Sequence, residues 1–318
     1  MINETPGTVQ TKIKKQKSRP QMLEYLRLMS KDYSAILGMV IVGFFLIWSL
    51  IQGILEYLSH FPGDSYLGYV LLPSNPILSS PNFSLSVHAP SLSSLSMIMG
   101  TNFLGESILS RILYAMPRDA FVSVVVVLLA VLVGALLGIT AAFKGGLIEN
   151  VIMRLTDAFL SLPALIIVIA IAVPLKEGFD AVIIALSIVW WPTYTRFFRA
   201  QTLKVKEMDY VQAAKINNVS RFNMFLKYLF LNSVDPVIAY AALDFGNVIL
   251  TYSTLAFLGI GLTIPIPELG AMASDGLGYL PLAWWWALFP GITILIIVIG
   301  FVLVGDRFQD IINNRINY

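Results

Sequence analysis

Apolar residues in this chain run in long blocks separated by short polar intervals, and six of those blocks have the length of a membrane crossing. They extend from Ala35 to Leu55, Ala120 to Phe143, Ile152 to Val173, Ala181 to Thr195, Leu229 to Leu250 and Trp284 to Val304. At a rise of 1.5 Å per residue, roughly 20 apolar residues cross about 30 Å of hydrocarbon as a helix. The fourth block is the shortest, bounded by Asp180 and Arg196, and Arg196 is expected to extend its guanidinium to the headgroups. No block alternates apolar and polar positions in short segments, which excludes a transmembrane β-barrel. The pattern therefore predicts an all-α polytopic membrane protein with six transmembrane helices.

Composition strengthens this reading. The 318 residues are 57% hydrophobic and only 13% charged, about half the charge of a soluble domain. A lipid bilayer is the partner such a chain demands, and nucleic acid is not expected. Lysine and arginine sort the loops, since positively charged loops stay inside. With the amino terminus inside, only Arg111, Arg118 and Lys176 of the 21 basic residues fall outside. A multi-pass cell-membrane protein with both termini cytoplasmic follows.

The division expected is a basic tail over 1–34, a first transmembrane helix over 35–58 and an external segment over 59–118. A five-helix core over 119–305 follows, with a cytoplasmic loop at 196–227, and then a tail over 306–318. The first apolar run is too long for a cleavable signal and no small-residue cleavage pattern follows it. In the external segment, five prolines from Pro62 to Pro90 and the serines between Ser74 and Ser96 suggest an exposed irregular loop, with Asn82-Phe83-Ser84 fitting a glycosylation acceptor. After it, Leu104, Ile108 and Ile112 recur every four residues while Glu106, Ser110 and Arg111 fall off that stripe. This predicts an amphipathic helix on the outer membrane face.

Signs of catalysis are absent. No cysteine is present, so thiolate metal sites and disulfides are excluded, and His60 and His88 are too far apart to suggest a metal pair. There is no HExxH, GxSxG or glycine-rich phosphate loop with its lysine. Catalytic, cofactor-binding and metal-binding residues are all expected to be none.

One polar segment interrupts the apolar blocks with a distinct design: Glu207 to Phe222, EMDYVQAAKINNVSRF. Tyr210, Val211, Ala213 and Ala214 alternate with Glu207, Asp209, Gln212 and Lys215, which gives a short helix with a small apolar face. Asn217-Asn218 supplies a stop, because asparagine tolerates the left-handed conformation almost as well as glycine. Ser220 is suited to cap a second short helix reaching about Leu226. Two short helices around a tight turn would form a compact cytoplasmic knob, or lie as an amphipathic loop on the inner leaflet.

DYVQAAKINNVSRF resembles the Glu-Ala-Ala coupling loop of ABC importer permeases. GTNFLGESILSRILYA, GGLIENVIMRLTDAFLSLP, WWPTYTRFFRA, LAFLGIGLTIPIPELG and LVGDRFQD resemble segments of the dipeptide/oligopeptide permease family, specifically its C-type subunit. Together they cover most of Gly100 to Asp310 in the family's order. Gln212 stands where the family usually has glutamate, and Asn218 where it has glycine. Glu106 and Ser107 replace the usual arginine and aspartate, which would invert the sign of an outer-surface ionic contact.

The resemblance implies a type I ABC importer subunit. Its partners would be a second homologous permease, two cytoplasmic ATP-binding subunits and an external substrate-binding protein, with ATP and magnesium held by the ATP-binding subunits. Glu207, Asp209, Tyr210, Val211, Gln212, Ala213, Ala214 and Asn218 would form the coupling loop. Related transporters carry peptides, oligosaccharides, nickel and other solutes; peptide is placed ahead of oligosaccharide here. A channel or ATP-independent transporter is the remaining class, excluded if uptake requires ATP.

A carboxylate inside a span is costly unless it faces a cavity or a partner, which makes Asp244 the leading candidate for a translocation path. Tyr240, Asn247 and Thr251 extend it as a polar stripe at helical spacing. The competing reading is that Asp244 binds a neighbouring helix of the permease pair. Three side features complete the expectations. Asp157 is predicted to pair with Arg154, Trp284 to Trp286 to anchor an outer interface, and Gly259, Gly261, Pro265 and Pro267 to form a breaker-rich outer turn.

Overall fold

The computed structural model describes residues 27–59, 67–77, 87–175, 178–261 and 265–316. The basic residues before Arg27, the Asn82 acceptor, His60 and Lys176 lie outside the described residues.

Nine helices carry the described chain: α1 (Tyr33–Leu58), α2 (Ile108–Lys144), α3 (Gly146–Leu160), α4 (Ala164–Ala172), α5 (Phe179–Lys206), α6 (Asp209–Ile216), α7 (Arg221–Phe257), α8 (Leu269–Leu277) and α9 (Leu280–Ile316). Five of them, α1, α2, α5, α7 and α9, are long and apolar enough to cross a membrane. The pair α3 and α4 makes a sixth crossing if counted together, bent by 87°. The expected straight span from Ile152 to Val173 is therefore broken. Pro163 cannot donate a backbone hydrogen bond and restricts Leu162, so the chain leaves the helix at Ser161 and restarts at Ala164.

Helices α2 and α5 form the most extensive packing in the fold, with α7 against both, α9 against α7, and α1 flanking α9 and α2. Gly134 and Gly138, one turn apart on α2, explain how close α2 and α5 come. A Cβ at Gly138 would lie 2.8 Å from the Phe198 Cβ and 2.9 Å from the Arg199 nitrogen, and one at Gly134 would lie 2.9 Å from the Thr195 nitrogen. Small residues at such spacing let helix backbones approach where apolar burial itself gives no drive between helices. The largest core cluster lies around this seam, from Val122 and Val126 to Tyr194, Phe198, Val211 and Leu229.

Interior prolines punctuate four of the long helices, at Pro117, Pro192, Pro236 and Pro290. Helix α7 carries a π-helical stretch, Met224–Phe230, just after its start, and the Asn232 amide donates to the Tyr228 carbonyl at 2.6 Å. Ser220 caps α7, as its place in the sequence suggests, but the helix runs on to Phe257 without a second short helix ending at Leu226.

The segment expected outside departs from its prediction. No separate amphipathic helix lies among its described residues: Leu104 is in a turn, and Ile108 and Ile112 are buried in the first turns of α2. Ser107 caps that helix, accepting from the Ser110 backbone N–H at 3.3 Å. Glu106 points inward, accepts from the Asn102 amide at 2.6 Å and pairs with Arg111 at 2.5 Å. Burial pushes the Glu106 carboxyl above its ordinary range, against the opposing pull of Arg111 and Asn102. An ionic contact offered to an outside partner is thus replaced by a buried internal one.

The tryptophan belt is corrected similarly. Trp284 is half exposed, but Trp285 and Trp286 are buried. Trp285 donates to the Thr101 carbonyl at 3.1 Å, and Trp286 stacks on Tyr279 with ring centres 4.9 Å apart. Two of the three indoles hold the outer segment and the α8–α9 turn to the body. Gly259 and Gly261 do lie in a turn leading to α8, which packs between α7 and α9.

Candidate functional site

The segment 207–222 folds as a knob. Met208 sits extended before α6, Asp209 lies in its first turn and Lys215 in its last, each the sign that the helix dipole favours. The helix stops at Asn217, and Asn218 follows with φ of 51°, the sole non-glycine residue with positive φ among the described residues. The turn thus forms as the asparagine pair implies.

The two faces of α6 differ. Val211 and Ala214 are buried and belong to the same core cluster as Val205, Met224 and Leu229. Glu207, Asp209, Tyr210, Gln212, Ala213 and Asn218 are exposed. Of the two alanines, only Ala213 presents its methyl outward; Ala214 belongs to the joint with the body. The exposed face also carries Met208, Ile216 and Phe222, the latter two 81% and 71% exposed. Apolar side chains this bare beside charged ones form a contact surface. Glu207, Met208, Asp209 and Tyr210 line a shallow, open depression at its edge.

Polar contacts join the knob to the spans. The Gln212 amide donates to the Lys206 carbonyl at 2.8 Å, closing the end of α5. A glutamate at that position could not donate. Lys206 donates to the Ala142 carbonyl at the end of α2 at 2.8 Å. Arg199 on α5 donates to Glu149 on α3 at 2.6 Å. Packing and the Gln212 bond thus join α6 to the end of α5, which is tied in turn to α2 through Lys206 and to α3 through Arg199.

Asp157 does not pair with Arg154. It receives Arg196 of α5 at 2.5 Å, a more exposed tie between α3 and α5.

The proposed path stripe lies on α7. Asp244 is buried and accepts three hydrogen bonds, from the Trp190 indole at 2.7 Å, the Tyr194 hydroxyl at 2.9 Å and the Asn247 amide at 3.3 Å. Trp190 and Tyr194 are four residues apart on α5, so they share one face. Tyr240 packs edge-on to Tyr194 and stacks on Phe197. Asn247 is exposed and Thr251 is half-buried, its hydroxyl bonded to the Asn247 carbonyl at 2.8 Å. The stripe thus has a buried anchor at Asp244 and an open edge at Asn247. The neighbouring helix Asp244 binds is α5 of its own chain. Trp190 and Tyr194 were not singled out from sequence, although WWPTYT places them at the required spacing.

An all-helical membrane body with one compact knob at the ends of its central helices has the build of a transport permease subunit. Comparison with known proteins gives its family. The chain matches the binding-protein-dependent transport system inner membrane component family over residues 134–318, and it belongs to that family. It is 37% identical over 216 residues to the probable D,D-dipeptide transport system permease protein of Escherichia coli K12, covering 68% of this chain and 72% of that protein. It is 33% identical over 219 residues to the dipeptide transport system permease protein of Haemophilus influenzae, covering 69% and 74%. It is also 33% identical over 219 residues to a di/tripeptide transport system permease protein of Pseudomonas aeruginosa, covering 69% and 72%.

Proposed function

We propose that this chain is a permease subunit of an ATP-driven ABC importer and forms half of a translocation path for peptides. The observation carrying the proposal is the knob: a short helix buried on its Val211–Ala214 side and bare on its Ala213–Ile216 side. That helix sits in a chain whose relatives are named as dipeptide and tripeptide transport permeases. Those names favour peptide over oligosaccharide as the cargo.

In this reading both termini and the knob are cytoplasmic. The exposed face of the knob docks on one of two ATP-binding subunits, which hold ATP and magnesium and carry out hydrolysis. A second, homologous permease packs beside the exposed apolar faces of the spans, and an external binding protein delivers cargo at the far end. Closure of the ATP-binding subunits pushes α6; its packing and the Lys206 and Arg199 contacts carry the push into α2, α3 and α5. Rigid rocking of these helices against the partner permease alternates access. Asn247 and Thr251 edge the path, with Tyr240 and Asp244 behind them holding the edge in place.

The test is reconstitution with the neighbouring ATP-binding, permease and binding-protein subunits in proteoliposomes. ATP-dependent uptake of a labelled dipeptide or tripeptide supports the reading. Uptake without ATP, or of oligosaccharide alone, refutes it.

A further inference from the structure

A second polar cluster lies at the opposite end of the body from the knob. Asp119 stands in the early turns of α2, Tyr252 and Ser253 lie on α7, and Glu268 caps α8. Their exposures are 1%, 0%, 2% and 1%. Glu268 Oε2 accepts from the Ala271 backbone N–H at 2.8 Å. Glu268 Oε1, both Asp119 oxygens and the hydroxyls of Tyr252 and Ser253 have no hydrogen-bond partner. The two carboxyl groups are close enough to act on each other electrostatically, and both act on the Tyr252 hydroxyl without hydrogen-bonding to it. The helices are tightly closed here, because a Cβ at Gly270 of α8 would strike the Ser253 backbone.

Arg118, the cation that acts on Asp119, is shared with other partners. Arg118 pairs with Glu56 of α1, donates to the Tyr114 carbonyl at 2.9 Å and lies 4.6 Å from the centre of the Tyr114 ring. Glu56, Tyr114, Arg118 and Tyr252 are the other titratable groups around the cluster. Two buried ionised carboxylates with three orphaned oxygens would be strongly disfavoured. A proton on one carboxyl removes a charge and turns an orphaned acceptor into a donor.

We infer that Asp119 and Glu268 form a proton-binding pair that holds α8 against α2 and α7. The proton comes from external water before the helices close, resides on one of the two carboxyls while they are packed, and returns to water when α8 separates from α2. Burial pushes the Glu268 carboxyl up to about 7, against the opposing pull of the Ala271 and Gly270 backbone N–H groups. The inference stands whatever the cargo.

Linkage fixes the direction of the test. Because the folded protein binds the proton more tightly than the unfolded chain does, the stabilisation is full at acid pH and is lost as pH rises through the folded value. The full-length chain in lipid nanodiscs should show a melting temperature that falls from about pH 6 to pH 8. The isosteric double variant Asp119→Asn, Glu268→Gln should abolish that slope. Infrared spectra of wild type at pH 7 should contain a protonated carboxyl C=O band, shifted in D2O and missing from the double variant. A flat wild-type profile, an unchanged slope in the double variant, or no such band would overturn the inference. If a variant fails to fold, the wild-type band decides: its loss between neutral and alkaline pH supports the pair, and its absence at pH 7 refutes it.

Discussion

Replacing Asp244 tests the buried anchor of the path stripe. In Asp244→Ala the Trp190 indole and Tyr194 hydroxyl lose their acceptor, at present 2.7 and 2.9 Å away, and the Asn247 amide loses a weaker contact at 3.3 Å. Orphaning a buried donor costs about 1–3 kcal/mol, so the two strong bonds together represent about 2–6 kcal/mol. Polar contacts between membrane helices average nearer to about 0.6 kcal/mol each, which sets a floor of about 1 kcal/mol. Asp244→Asn keeps an oxygen where Trp190 and Tyr194 converge and should cost less than about 1 kcal/mol. At roughly 2–4 °C per kcal/mol, the alanine variant should melt about 2–24 °C below wild type, with the asparagine variant close to wild type. Thermal unfolding in nanodiscs by tryptophan fluorescence reads both. If asparagine is as damaging as alanine, or alanine is harmless, the hydrogen-bonded anchor is not what holds α5 to α7. Normal uptake by a stable Asp244→Asn would place the role in positioning; lost uptake at unchanged stability would assign a need for the charge itself.

Three further outcomes follow from the packing. Gly138→Leu should force α2 from α5 and destabilise the chain by at least about 1–3 kcal/mol, seen as lost expression or a lowered melting temperature, because its Cβ already meets Phe198. Gln212→Ala should cost about 0.5–1.5 kcal/mol from the lost Lys206 contact, measured by thermal unfolding, and Gln212→Glu should not restore it, because a carboxylate cannot donate. Arg196→Ala should change the melting temperature little, since an exposed ion pair contributes about 0–1 kcal/mol.

Hydropathy located the long helices because length and apolarity along the chain are local properties. It was blind to the bend between α3 and α4, although Pro163 was a visible breaker, because a window average passes over three non-helical residues. The knob was legible for a different reason: the Asn217-Asn218 stop and the Ser220 cap act within a few residues of themselves. Pairings between distant positions were not. Asp157 chose Arg196, 39 positions away, over the helical neighbour Arg154, and Arg111, which pairs with Glu106, also donates to the Pro76 carbonyl 35 positions away. Trp285 and Trp286 read as an interfacial belt until the outer segment, which reaches Trp285 through Thr101, supplied a partner. Asp244 stood out as a polar residue in a span, yet its donors are on α5, so whether it faced a path or a helix depended on packing that one sequence does not display.

The coupling role of the knob is tested most directly with Ala213→Arg in the assembled transporter. Ala213 is exposed while Val211 and Ala214 hold α6 to the body, so the substitution should leave the melting temperature of the isolated chain unchanged. Cargo-stimulated ATP hydrolysis, measured alongside co-purification of the ATP-binding subunits, should be lost. Wild-type stimulation with the ATP-binding subunits still bound would contradict the assignment of this face as the coupling surface.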